Sequence, residues 1–239
     1  MSVLLLALIQ QVLVPAVPRL SAIEIVDRMV RAEQERMTSF SGYTGMRRYH
    51  FENKRTGKRA EVTVRITCEA TGAKTLDVVA ESGSSFVRSH IIRRMIDAER
   101  EASLRAEREQ TRILPKNYDF TLVGTEAAEG RQAYVLEIIP KTRNQFMVRG
   151  RIWVDAEDFA ITRLEGSPAK NPSFWIHSVK VVHRYDRFGK FWLPISNQSR
   201  ADARIFGTTD VGIEYYGYLI AEANARNGDT GESRAGLNH

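Results

Sequence analysis

Cysteine is all but absent. Cys68 is the only one in 239 residues, so no intramolecular disulfide can form and no multi-cysteine zinc site can be built. It sits in Val62-Thr-Val-Arg-Ile-Thr-Cys68, an alternation typical of a strand, and reads as an inert packed thiol rather than a nucleophile. Also missing are a nucleophile elbow, a phosphate-cradling glycine loop, an HExxH pair and a cysteine–histidine pattern. Catalysis therefore has no motif to rest on, and no enzyme and no cofactor are expected. There is no internal repeat and no linker that demands two domains. No charge of one sign dominates: 35 Lys and Arg face 29 acidic residues, a net +6. The mean hydropathy is −0.33 with 43% hydrophobic residues, which suits a globular protein with a buried core and a mildly basic surface.

One apolar run stands out, Val3 to Val14, broken only by Gln10 and Gln11. It is shorter than the ~20 residues a bilayer span takes, and suits the apolar core of a secretory signal. Residues 1–22 are expected to be that signal, with cleavage patterns at Val14-Pro-Ala16 and, less well formed, at Leu20-Ser-Ala22. No Lys or Arg precedes the run, so an upstream start or a buried helix would also account for it. No cysteine stands near either cleavage point, which argues against a lipoprotein, and no later segment is apolar enough to cross a membrane.

The mature chain opens with a helix. Ile23, Val26, Met29, Val30 and Met37 recur at helical spacing, and Ser21 with Glu24 forms a capping box. From Gly42 the period changes to two. Gly42–Asn53, Arg59–Glu69 and Lys74–Ala80 read as strands. A second helix is expected from about His90 to Arg108, with a stripe of Ile91, Ile92, Met95, Ile96, Ala98 and Ala102. Then come seven more strands: Asn117–Val123, Arg131–Ile139, Gln145–Val154, Ala160–Leu164, Phe174–Tyr185, Phe191–Arg200 and Thr209–Leu219. Turn-rich links leave no room for crossover helices between them, so antiparallel meander pairing follows. The expected class is α+β, mainly β: about 10–11 strands, too many to lie flat, with helices over one face. Residues 221–239 are expected to be a disordered tail.

Candidate chemistry is sparse. Asp155-x-x-Asp158 could be an acid/base pair or a metal site, but a turn between apolar strands explains it better. His177 and His183 share strand parity and could meet a metal only with ligands that no spacing names, so no metal is expected. Basic clusters at Arg47-Arg48, Lys54-Arg55-x-x-Lys58-Arg59 and Arg93-Arg94 have Tyr49 and Phe51 beside them. Solvated strand and turn charges account for these, and nucleic acid is not expected as a partner. The more telling feature is one apolar sheet face: Leu76, Val78, Phe120, Leu122, Tyr134, Leu136, Ile138, Ile152, Val154, Trp175, Val179 and Val181, with Ile92 and Met95 opposite on the second helix. If the helices cover it loosely, these residues line a cavity for a hydrophobic ligand; if tightly, they form a core.

Several fragments, in order over residues 22–220, resemble the LolA/LolB-like superfamily of bacterial outer-membrane lipoprotein-sorting proteins. They are Gly42-Tyr-Thr-Gly45-x-Arg47-x-Tyr49, Asn117-Tyr-Asp-Phe120, Tyr134-x-Leu136-x-x-x-Pro140-Lys141, Gly150-Arg-Ile-Trp-Val-Asp155, Glu165-Gly166, Gly189-Lys-Phe-Trp-Leu-Pro194, Phe206-Gly207 and Ile213-x-Tyr215-x-x-Tyr218. The resemblance implies a half-barrel domain over residues 23–220, unclosed and strongly curved, with helices on its concave face. It implies a periplasmic carrier holding an acyl chain or other hydrophobic ligand, such as a lipid or acylated lipoprotein, with an inner- or outer-membrane transport partner. A monomer is expected. An envelope sensor or protein-interaction module with a filled cavity is the alternative.

Overall fold

The computed structural model describes residues 18–128, 130–171, 176–203 and 207–222. The apolar run 3–14, Trp175 and the tail beyond 222 lie outside the described residues.

Helix α1 (Ala22–Met37) starts where its cap predicts. The Glu24 N–H donates to Ser21 Oγ at 3.3 Å while the Ser21 N–H donates back to the Glu24 carboxylate at 2.8 Å, so two amides that the helix cannot satisfy find partners. Ala22, the end of the second expected cleavage pattern, is the first helical residue. Three strands follow: β1 (Phe40–Asn53), β2 (Arg59–Glu69) and β3 (Lys74–Gly83). The second helical region departs from expectation. It begins earlier, with the turn α2 (Ser85–Val87), passes through a π-helical turn at Arg88–Ile92, and continues as α3 (Arg93–Ser103). At Leu104 the backbone leaves the helical region (ψ 143°), and a separate α4 (Arg105–Thr111) follows. Beyond Ala98 the sequence is charged nearly all round, so no apolar face holds one straight helix against the sheet.

Seven strands complete the chain: β4 (Tyr118–Ala128), β5 (Arg131–Pro140), β6 (Val148–Asp155), β7 (Ile161–Pro168), β8 (Ile176–Phe188), β9 (Phe191–Ala203) and β10 (Gly207–Glu222). The last runs to Glu222, which pairs with Phe40, so residues 221 and 222 belong to the sheet. All ten form one antiparallel sheet in the order β3-β2-β1-β10-β9-β8-β7-β6-β5-β4. The expected fold class is the one observed: an open, mainly β half-barrel with few helices.

The topology explains the cover. β3 and β4 are the two opposite edges, so the segment between them must cross from one edge to the other, and α2, α3 and α4 lie on that crossing. The inner face is packed in two halves. Over β1–β3 and β10, Val87, Ile92 and Ile96 bury against Tyr49, Phe51, Val62, Val64, Ile66 and Leu76. Over β4–β7, Ile25, Val26 and Met29 of α1 bury against Tyr134, Leu136, Ile138, Ile152 and Val154. Burying each such side chain stabilises the fold by roughly 1.5–3 kcal/mol. A smaller cluster, Ala133, Val135 and Trp153, covers the outer face.

Candidate functional site

A polar seam runs under β1 and β10, within the first packed half. Arg47, on the inward parity of β1 and 1% exposed, forms an ion pair with Glu99 of α3. Its guanidinium also lies 4.7 Å from the Tyr215 ring centroid. Lys74 Nζ reaches the other Glu99 oxygen at 2.9 Å, and the Tyr49 hydroxyl donates to Glu99 at 3.2 Å. Burial alone would raise the Glu99 carboxyl, but Lys74 and Arg47 hold it down at about 2. On β8, His183 bonds the Tyr185 hydroxyl through Nδ1 at 3.3 Å, and its Nε2 is buried with no hydrogen-bond partner. Burial, assisted by the Arg47 and Lys74 charges and opposed by Glu99, pushes His183 down to about 4.

Tyr185 joins this seam to a cavity of about 280 Å³. The cavity lies where α1 ends and where β1, β7 and β9 begin, the end of the sheet called here the cavity rim. Met29, Val30 and Met37 line it from α1, Ile113 and Leu114 from the segment after α4, and Phe40, Ile161, Phe191 and Leu193 from the sheet. Glu33, Arg36 and Arg112 supply its charged groups. They are partly neutralised: Arg112 pairs with Glu33 at 3.5 Å and Glu109 at 3.3 Å, and Arg36 donates to the Asp158 carbonyl at 2.9 Å. Trp192 Nε1 bonds the Asp158 carboxylate at 3.2 Å. Burial, with Glu33 adding to it, pushes the Tyr185 hydroxyl up to about 12, so it remains a neutral hydrogen-bonding group.

The residues singled out on the sheet face are placed otherwise. Leu76 and Ile92 are buried in the first packed half, with Val78 and Met95 against it. Tyr134, Leu136, Ile138, Ile152 and Val154 are buried in the second, with Phe120 and Leu122 against it. Val179 is buried and Val181 half-buried on β8; Trp175 is outside the described residues. Among the described residues none of these lines the cavity described above. Its lining comes from a helix end, a loop, the first residues of three strands and Tyr185 of β8, which sheet periodicity does not single out.

The remaining candidates have structural settings. Asp155 is 1% exposed and accepts the Glu157 and Asp158 N–H groups at 3.0 and 2.7 Å, as a turn residue does. It also takes two hydrogen bonds from Arg131 at 2.6 and 2.8 Å. His177 is exposed at the start of β8, while His183 points inward near the middle of the strand, so the two do not meet. Cys68 is buried, and burial pushes its thiol up. Among the described residues no three His, Cys, Asp or Glu side chains converge as a metal set, and no helix is long and apolar enough to cross a membrane.

Residues 115–221 match the model of a family of unknown function, DUF5686. No curated protein matches the chain. Solved structures are similar at low identity. A DUF1329 family protein from Desulfovibrio piger shares 14% identity over 84% of this chain and 93% of its own, with a TM-score of 0.45. A LolA superfamily protein from Nitrosomonas europaea shares 11% over 86% and 96%, TM-score 0.37. A protein described as an outer membrane lipoprotein-sorting domain from Vibrio parahaemolyticus shares 11% over 82% and 93%, TM-score 0.40.

Proposed function

We propose that this is a binding module of the cell envelope that holds one acyl chain of a lipid or acylated lipoprotein in the cavity between α1 and the sheet. The observation that carries the reading is the cavity itself: an apolar pocket at the open rim, with partly neutralised charges among its lining residues. Its 280 Å³ is at the small end for ligand sites, which run from ~300 Å³ upward, and suits a single chain rather than a bulky ring system. Burial of a chain at about 0.8 kcal/mol per CH₂ supplies affinity with no catalytic group. The sheet-face residues Tyr134, Leu136, Ile138, Ile152 and Val154 lie under α1, so a longer chain would reach them only by displacing that helix. Export to the periplasm and a part in lipoprotein sorting belong to the same proposal.

Delipidated protein titrated with a fluorescent fatty acid tests it. Saturable binding near one per chain is expected, weakened at least tenfold by Val30→Trp, which fills the cavity. Protein that neither retains lipid after purification nor binds the probe would sink the reading. A protein-interaction role finds its support in the two unpaired edges, where Val79 of β3 and Val123 of β4 are 45% and 50% exposed; an added strand could pair there.

A further inference from the structure

The two ends of the sheet differ in charge. Opposite the cavity rim, the β1–β2 turn abuts the corner between β3 and α2: the Ser84 N–H donates to the Arg59 carbonyl at 2.8 Å. Across β9, β10, β1, β2 and the start of the helical crossing, this rim carries Arg200, Lys54, Arg55, Lys58, Arg59, Arg88 and Arg93. The carboxylates among them are Glu52, Glu61, Glu81, Asp202 and Asp210. Two of them are shared: Asp210 pairs with both Lys54 and Arg200, and Glu81 with both Arg88 and Arg93; Glu52 pairs with Arg59 and Glu61 with Arg48. Cationic charge is therefore in surplus along a continuous edge. At the start of the helical crossing is Phe86, 48% exposed, stacked on His90 at 4.6 Å with Lys58 Nζ 5.1 Å from its ring. An exposed large apolar side chain beside a cation, on a basic rim, gains nothing from water but matches the boundary between headgroups and acyl chains.

We propose that this basic rim docks on the surface of a bilayer containing anionic phospholipid, with Phe86 entering the interface. The cavity at the other rim then faces away from the membrane. A lipid surface fits better than nucleic acid, because among the described residues the rim offers one exposed aromatic ring and not the succession of stacking platforms that a strand of bases uses. Each cation near an anionic surface contributes roughly fivefold to partition, and the attraction is screened by salt.

The test is flotation of the full chain with vesicles of phosphatidylcholine alone or with ~30% phosphatidylglycerol, chosen to give a substantial anionic surface. The quantity read is the increment due to phosphatidylglycerol, since the N-terminal apolar run is common to all samples. That increment should fall at least tenfold between low and ~0.5 M salt. The double variant Lys54→Gln, Lys58→Gln should lower it about 25-fold, and Phe86→Ser should lower it further. Arg187→Gln with Lys190→Gln, at the cavity rim, should leave it unchanged. No increment, one indifferent to salt, or one lost equally in the cavity-rim variant overturns the proposal. Salt-sensitive binding to single-stranded DNA without any vesicle increment would replace the membrane with nucleic acid. The outcome is independent of fatty-acid binding, so the cavity reading stands or falls separately.

Discussion

Arg47 of β1 and Glu99 of α3 form an ion pair beneath the sheet, where Arg47 is almost wholly buried. The pair ties the helical crossing to β1 within the first packed half, where the Tyr49 hydroxyl and the Tyr215 ring flank it. Removing one partner leaves the other charge buried and uncompensated, which costs more than the pair itself contributes. Glu99→Ala should therefore destabilise the protein by about 3–5 kcal/mol, read as a shift in the urea midpoint at pH 7. Replacing both with Arg47→Met and Glu99→Leu should cost much less than either single change predicts. The pH dependence has a definite sign. Glu99 titrates at about 2 in the fold against an ordinary 4.5, so its contribution is complete above about 4.5 and is lost as pH falls toward 2.

His183 acts in a different window. Its folded value of about 4 lies below the ordinary 6.5, so the unfolded chain takes up the proton first. Stability should fall as pH drops from 6.5 to 4 and gain no further loss from this group below 4. The total is about 3 kcal/mol. His183→Gln should flatten the stability profile between pH 6.5 and 4 while leaving the lower, Glu99-linked fall in place. A profile unchanged by this substitution would remove His183 from the account.

The sheet was legible because its signals are local. Alternation and turn residues marked all ten strands, and Ser21 with Glu24 marked the start of α1. The seam was only half legible. Arg47 beside Arg48 reads as a surface pair, yet it shares parity with Tyr43, Tyr49 and Phe51, which face inward; that parity was the available signal. Its partner Glu99 lies in a stretch charged on every side, where no pattern separates the one buried carboxylate from the solvated ones. The cavity was not legible at all. Phe40, Ile161, Phe191 and Leu193 stand at strand starts, and what makes them a lining is the space left where α1 ends.

Asp155 supports a second prediction about polar burial. Its carboxylate accepts from Arg131 and from two turn amides, and these bonds hold it below the usual carboxylate range against the opposing effect of burial. Asp155→Asn keeps the shape but loses the charge that strengthens each bond and puts an amide NH₂ where an acceptor is needed. A loss of about 2 kcal/mol is expected, with ligand binding at the cavity unchanged if Asp155 serves only the β6–β7 turn. Thermal unfolding and fatty-acid titration of the same variant separate the two effects.

Gly150 of β6 and Gly166 of β7 are paired across the strands, and here the backbones come too close for a side chain on either. A Cβ on Gly150 would collide with the Glu165 carbonyl, and one on Gly166 with the Arg149 carbonyl and the Val148 side chain. Neither residue has positive φ, so the requirement is space rather than backbone conformation. A glycine in a strand interior is otherwise unfavourable, and the facing pair lies on the same two strands as Ile152 and Leu164 of the packed half under α1. Gly150→Ala should push β6 and β7 apart and cost about 1–3 kcal/mol. Gly124→Ala, where an added Cβ meets nothing within 4 Å, should be far milder. Equal stability losses for the two variants, measured by urea unfolding, would mean that strand propensity and not close approach decides the choice of glycine at 150.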